Sequence, residues 1–143
     1  MRPGSAGLVV VVVLSAALAG CSVETTPAHP YKPASVGAAT AEGVKPVTLT
    51  DEGARRIGLT TSTVTTVGGR TVVDYAALIY DSKGASWVYT VADPLTFLRV
   101  EVEVAEVERL QVYLAAGPQP GTSVVTVGSA QLYGEELGIS GKH

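Results

Sequence analysis

Few side chains in this 143-residue chain are of types that do chemistry, and their spacing limits what that chemistry is. Cys21 is the only cysteine, His29 and His143 are the only histidines, and Met1 is the only methionine. A serine or threonine nucleophile needs a base beside it, usually His. Between His29 and His143 the chain offers none. Glu101 and Glu103 stand two residues apart, which on a strand places them about 7 Å apart on one face. Paired carboxylates at that distance suit acid/base work. Continued by Glu106 and Glu108, the same run also reads as the wet side of an amphipathic strand, and that is the expectation here. His29 sits among prolines and His143 is terminal, so both are expected to be solvated and not to bind metal. Without an internal methionine there is no soft thioether site for copper(I). Gly68-Gly69 has no strand-to-helix switch beside it, so no phosphate loop is expected. The sequence predicts no catalytic residue, no metal, no cofactor and no enzyme.

The elements that would position these residues are mostly strands. Leu98-Arg99-Val100-Glu101-Val102-Glu103-Val104 alternates strictly between apolar and polar. A period of two puts Leu98, Val100, Val102 and Val104 on a buried face and Arg99, Glu101 and Glu103 on a wet one. Residues 59–67, 72–80, 86–91, 110–114 and 123–127 are rich in β-branched and aromatic types and bounded by turn residues. Trp87, Tyr89 and Val91 share one strand face, as core or as a contact patch. Gly68-Gly69 predicts one hairpin, because both residues tolerate positive φ, and Asp81-Ser82-Lys83-Gly84 a second. Ala92-Asp93-Pro94 is expected to break the pairing, since Pro94 has no amide to donate. Residues 117–121 form a Gly/Pro loop, and the tail after Leu132 has no strong period.

One short helix is expected near the start of this block. Thr50 can cap it, Asp51 and Glu52 complement its positive end, Arg55 and Arg56 its negative end, and Gly58 stops it. The arginine pair is therefore read as dipole complementarity and not as an anion site. Ala54 and Ile57, three apart, would face the sheet. The fold class is mainly β: a small antiparallel β-barrel or β-roll with one short N-terminal helix. A net charge of −3 argues against nucleic acid as a partner.

Ahead of the fold lies a delivery segment. Met1-Arg2-Pro3 is followed by an apolar run, residues 8–14, and then by Ser15-Ala16-Ala17-Leu18-Ala19-Gly20-Cys21. The apolar run is too short for a spanning helix, which needs about 20 residues, and fits an export signal over residues 1–20. Leu18-Ala19-Gly20-Cys21 resembles the lipobox of bacterial lipoproteins. That resemblance implies lipid attachment at Cys21, which would become the first mature residue on the extracytoplasmic face of the cell membrane. As the only cysteine, Cys21 has no disulfide partner in the chain. Residues 21–46, with four prolines among Ser, Thr, Ala and Gly, are expected to be a disordered tether. At roughly 25 residues its reach is on the order of 25–30 Å.

Residues 47–138 carry a second resemblance, with 139–143 left as a flexible tail. Val73-Asp74-Tyr75-Ala76-Ala77-Leu78-Ile79-Tyr80, the hairpin to Trp87-Val88-Tyr89-Thr90-Val91 and the strand at Arg99-Val100-Glu101-Val102 resemble, in order and spacing, segments of one family. Leu114-Ala115-Ala116-Gly117 and Pro120-Gly121-Thr122-Ser123-Val124-Val125-Thr126-Val127-Gly128 extend the likeness. The family is the periplasmic adaptor subunits (membrane fusion proteins) of resistance–nodulation–division and related efflux systems, in their membrane-proximal part. Full adaptors also contain a lipoyl-like domain and a long helical hairpin, for which this chain has no heptad segment. The resemblance implies a truncated, adaptor-like accessory that docks on a transporter permease. The rival reading is a lipoprotein module that binds a small apolar ligand or envelope component in a pocket around Trp87.

Overall fold

The computed structural model describes residues 3–4 and 31–139. Apart from Pro3 and Gly4, the expected export signal lies outside them, as do Cys21, His29 and His143. Among the described residues no helix is long and apolar enough to cross a membrane. Tyr31 opens the second of two units in the chain. The expected tether is corrected on this point. Strand β1 (Ala34–Val36) pairs antiparallel with β2 (Val47–Leu49), and Val44 is buried between them in sequence. A turn at residues 40–43, closed by the Thr40 amide on the Val44 carbonyl at 2.7 Å, joins the two strands. Prolines hid this hairpin in the sequence, yet Pro33 and Pro46 lie just outside the two strands, where the missing amide does no harm.

Helix α1 (Asp51–Arg56) forms as its residue types dictate. The Thr50 hydroxyl accepts the Gly53 amide at 2.9 Å, and Gly58 stops the helix at φ 63°. Arg56 pairs with Glu52 at 2.8 Å on the exposed face, in keeping with the expectation that the arginines serve the helix itself. Ala54 and Ile57 pack on the core beside β2. Gly53 is buried, and a Cβ built there would overlap the Pro33 carbonyl oxygen. Gly→Ala in an exposed helix gains about 1 kcal/mol. Here the sign should reverse: Gly53→Ala is expected to lose about 1–3 kcal/mol to overpacking, measured by urea unfolding.

The strands that follow are β3 (Thr60–Thr63), β4 (Thr65–Val67), β5 (Arg70–Asp74), β6 (Ile79–Tyr80), β7 (Ser86–Asp93), β8 (Thr96–Glu108), β9 (Gln111–Ala116) and β10 (Ser123–Val127). All their pairings are antiparallel, in the order β3-β10-β7-β8-β9-β5-β4. The sheet is mainly β and curls into a half-barrel, as the fold class anticipated. Gly68 and Gly69, at φ 56° and 75°, turn β4 into β5, and residues 81–84 turn β6 into β7.

Several boundaries differ from expectation, each for a local reason. The Thr-rich segment is not one strand but two, β3 and β4, broken at the buried Val64. There the chain leaves the ladder, and Val64 bonds instead to Thr122 and Gly121, both at 2.8 Å. Residues 72–80 are interrupted by a turn of 3-10 helix (Tyr75–Ala77), which Asp74 caps by accepting the Ala76 amide at 2.8 Å. Pro94 does not end the pairing: Asp93 pairs with Thr96, so Pro94 and Leu95 form a tight turn between β7 and β8. The tail holds a second helix, α2 (Ser129–Glu136), beyond the single helix expected.

Two hydrophobic clusters share the sheet. Val64, Val73, Val88, Val102, Val112 and Val124 are in one. Val47, Leu49, Tyr89, Phe97, Val125 and Leu132 are in the other, on the side covered by β2 and the helices. Neighbours Val88 and Tyr89, like Val124 and Val125, fall into different clusters because successive strand residues point to opposite faces. Both faces of the sheet are thus covered at β7 and β10. The expected wet face of β8 is corrected accordingly: Phe97 is buried and Arg99 nearly so, while Glu101 and Glu103 remain exposed.

Candidate functional site

The side chains that converge on the covered face come from β7, β8 and α2. Register places Trp87 opposite Glu101 and Tyr89 opposite Arg99. Glu136, at the end of α2, reaches down to them. Arg99 Nε donates to Glu136 Oε2 at 3.1 Å, and Arg99 Nη2 donates to Oε1 at 3.0 Å. The Tyr89 hydroxyl also donates to Oε2, and the Lys45 amide to Oε1 at 3.4 Å. The pair is withdrawn from water, with Arg99 and Glu136 side chains 11% and 3% exposed. A buried charge pair holds only when its geometry is good and its remaining valences are satisfied. Here the bidentate fork and the two further donors meet that condition.

Aromatic rings complete the cluster. The Arg99 guanidinium lies 4.2 Å from the Trp87 ring centroid and 5.0 Å from that of Tyr133. Trp87 Nε1 donates to Asp81 Oδ2 at 3.1 Å, while Asp81 Oδ1 accepts the Lys83 and Ala85 amides at 2.8 and 2.9 Å. Burial works against the Asp81 carboxylate, but those amides, the indole and the Arg99 charge together hold its pKa below the usual value. Burial, and then the bond to Glu136, pushes the Tyr89 phenol well above its ordinary pKa. One continuous network therefore runs from the 81–84 turn through Trp87 and Arg99 to α2. Both Glu136 oxygens have two donors each, so the carboxylate fastens the helix to the sheet.

Beside this network lies a cavity of about 240 Å³, walled by Thr40, Glu42 and Val44, by Trp87 and by residues 98–101. A wider groove of about 740 Å³ runs along residues 31–36 at β1 and lies open to solvent.

The other residues singled out by the sequence are scattered. Glu101 and Glu103 are exposed and β8 bulges after Glu103, so the two carboxylates share no enclosed site. Glu106 is engaged on the surface by Arg70 at 2.9 Å, and Arg70 also covers the Tyr113 ring. Among the described residues no group of three His, Cys, Asp or Glu is placed to hold a metal ion. Sequence reasoning missed Glu136 and the burial of Arg99. The available signal was the spacing of Ser129, Leu132 and Glu136, three and four apart, which is one buried helix stripe. Compared with protein-family models, curated proteins and solved structures, the chain matches none.

Proposed function

We propose that this chain is a lipid-anchored, truncated adaptor-like accessory that docks on a membrane export transporter. The observation that carries the reading is order: the segments that resemble the membrane-proximal part of periplasmic adaptors are the strands of one curled half-barrel. The hairpin at residues 81–84 and the loop at 117–122 connect strands that carry the resemblance. Lipidation of Cys21 would place that half-barrel at the membrane, since the chain from Cys21 to Tyr31 spans at most about 35 Å. Tethering raises the effective concentration against a membrane partner, so weak docking is enough. The rival reading, a module for a small apolar ligand, has the cavity beside Trp87 in its favour. Against that rival, exposed Glu42 and Glu101 stand at the cavity wall.

The test is photocrosslinking from position 83, an exposed site in the 81–84 turn, in intact cells. A polytopic transporter should be captured by the wild-type chain and lost in Cys21→Ser, which should also leave the membrane fraction or accumulate as precursor. Recovery of only lipid or cell-wall material supports the binding module instead. A Cys21→Ser chain that stays membrane-bound at mature size removes the anchor from the proposal.

A further inference from the structure

The pairing of β8 leaves a gap. β2 reaches only its first two residues, pairing Val47 with Phe97 and Thr48 with Thr96, and β9 begins at Glu103. β7 runs along β8 as far as Val102. From Leu98 to Val102, then, β8 has β7 on one side and no strand on the side where β2 stops. Among the described residues, no backbone hydrogen bond from the 37–46 turn crosses to residues 98–101 either. The cavity beside Trp87 is lined by these four consecutive residues. A cavity on one sheet face would be lined by alternate residues, so this one lies against the strand's edge.

We infer that the open β8 edge binds a short extended peptide segment carrying a basic side chain, which adds as a strand between that edge and the 40–44 turn. An unpaired strand edge supplies main-chain donors and acceptors, and neighbouring pockets select the side chains. The gap from Leu98 to Val102 is about 13 Å long at strand rise. Its 240 Å³ lies below the roughly 300–1,000 Å³ of drug-sized pockets, which suits one side chain and its backbone better than a whole free ligand. Thr40 stands at the wall beside Glu42, and its hydroxyl, ahead of Glu42's own amide, holds that carboxylate below its ordinary pKa and so charged. Charge decides the side chain. Glu42 and Glu101 are exposed at the cavity, while the one cation in its wall, Arg99, is already neutralised by Glu136. This inference goes beyond the docking reading and holds whether or not the peptide belongs to a transporter.

Trp87 is the only tryptophan, so its fluorescence reports occupancy directly. Three capped pentapeptides are titrated into the chain: alternating valine and lysine, alternating valine and glutamate, and the valine–lysine sequence with N-methylated amides. The valine–lysine peptide should give a saturable change that weakens as salt is added. Glu42→Gln and Glu101→Gln, both surface changes, should each weaken it about two- to fivefold, as exposed ion pairs do. The glutamate and N-methylated peptides should not saturate. Equal binding of the glutamate peptide overturns the charge argument, and equal binding of the N-methylated one overturns strand addition. A saturable response to tetrabutylammonium with none to any peptide makes the cavity a small-molecule site and ends the inference. A transporter captured at position 83 with no peptide response would sink this inference while leaving the docking reading intact.

Discussion

Arg99→Met is expected to destabilise the chain by about 3–5 kcal/mol, because it leaves the Glu136 carboxylate buried with no countercharge. Glu101→Ala, two residues along the same face but exposed, should cost under about 0.5 kcal/mol. The contrast separates a charge closed in by α2 from one left in water. Replacing both members, Arg99→Met with Glu136→Leu, should recover most of the loss, since apolar groups of similar size often match a buried ion pair. Urea unfolding of the four chains measures all three values. Similar costs at Arg99 and Glu101 would mean that α2 does not cover this face in solution.

Leu132→Ala should be nearly as damaging, at about 2–5 kcal/mol. Leu132 is wholly buried, in the cluster with Val47, Leu49, Tyr89, Phe97 and Val125. It is the apolar anchor of α2, as Glu136 is the polar one, so its loss should loosen the helix before the sheet. Amide exchange over residues 129–136 should accelerate while residues 72–73 and 112–114 keep their protection. Leu137→Ala, half exposed one residue past the helix, is the control and should stay within about 0.5 kcal/mol of wild type. Uniform acceleration across both regions would show that α2 and the sheet unfold as one unit.

Local chemistry was legible in the sequence and long-range cover was not. Thr50, Gly58, Gly68-Gly69 and Asp81–Gly84 each determine their own backbone within a few residues, and α1 and both hairpins formed where those types stand. Helix α2 begins at Gly128 with no side-chain cap and carries Gly134 inside, so it lacks the usual opening signal and gains little from propensity. What holds it is burial of Leu132 and the clasp on Arg99, a partner 37 residues away. The same distance explains why Arg99 reads as a wet-face residue: alternation along β8 says which residues share a face, not what later covers it. The β1–β2 hairpin was hidden similarly, since its turn and prolines match a linker's composition until Val44 is buried. The corner at Val64 is set by bonds to residues 121–122, nearly 60 positions on, which no local pattern encodes.

The position of β10 governs how the chain reaches this structure. It is the last strand in sequence yet lies between β3 and β7, so neither neighbour has its final partner until residues 123–127 arrive. Thr60 and Thr126, whose hydroxyls meet at 3.0 Å, are 66 residues apart. Contacts of such span close late and slowly, because loop entropy is lost before the pairing rewards it. During synthesis, the nascent chain therefore displays two unpaired edges that invite pairing with other chains. The threonines of β3 are mostly exposed, and a polar edge of that kind is less adhesive than an apolar one during the wait. A chaperone that holds extended segments would find more unpaired edge on this protein before β10 emerges than afterwards.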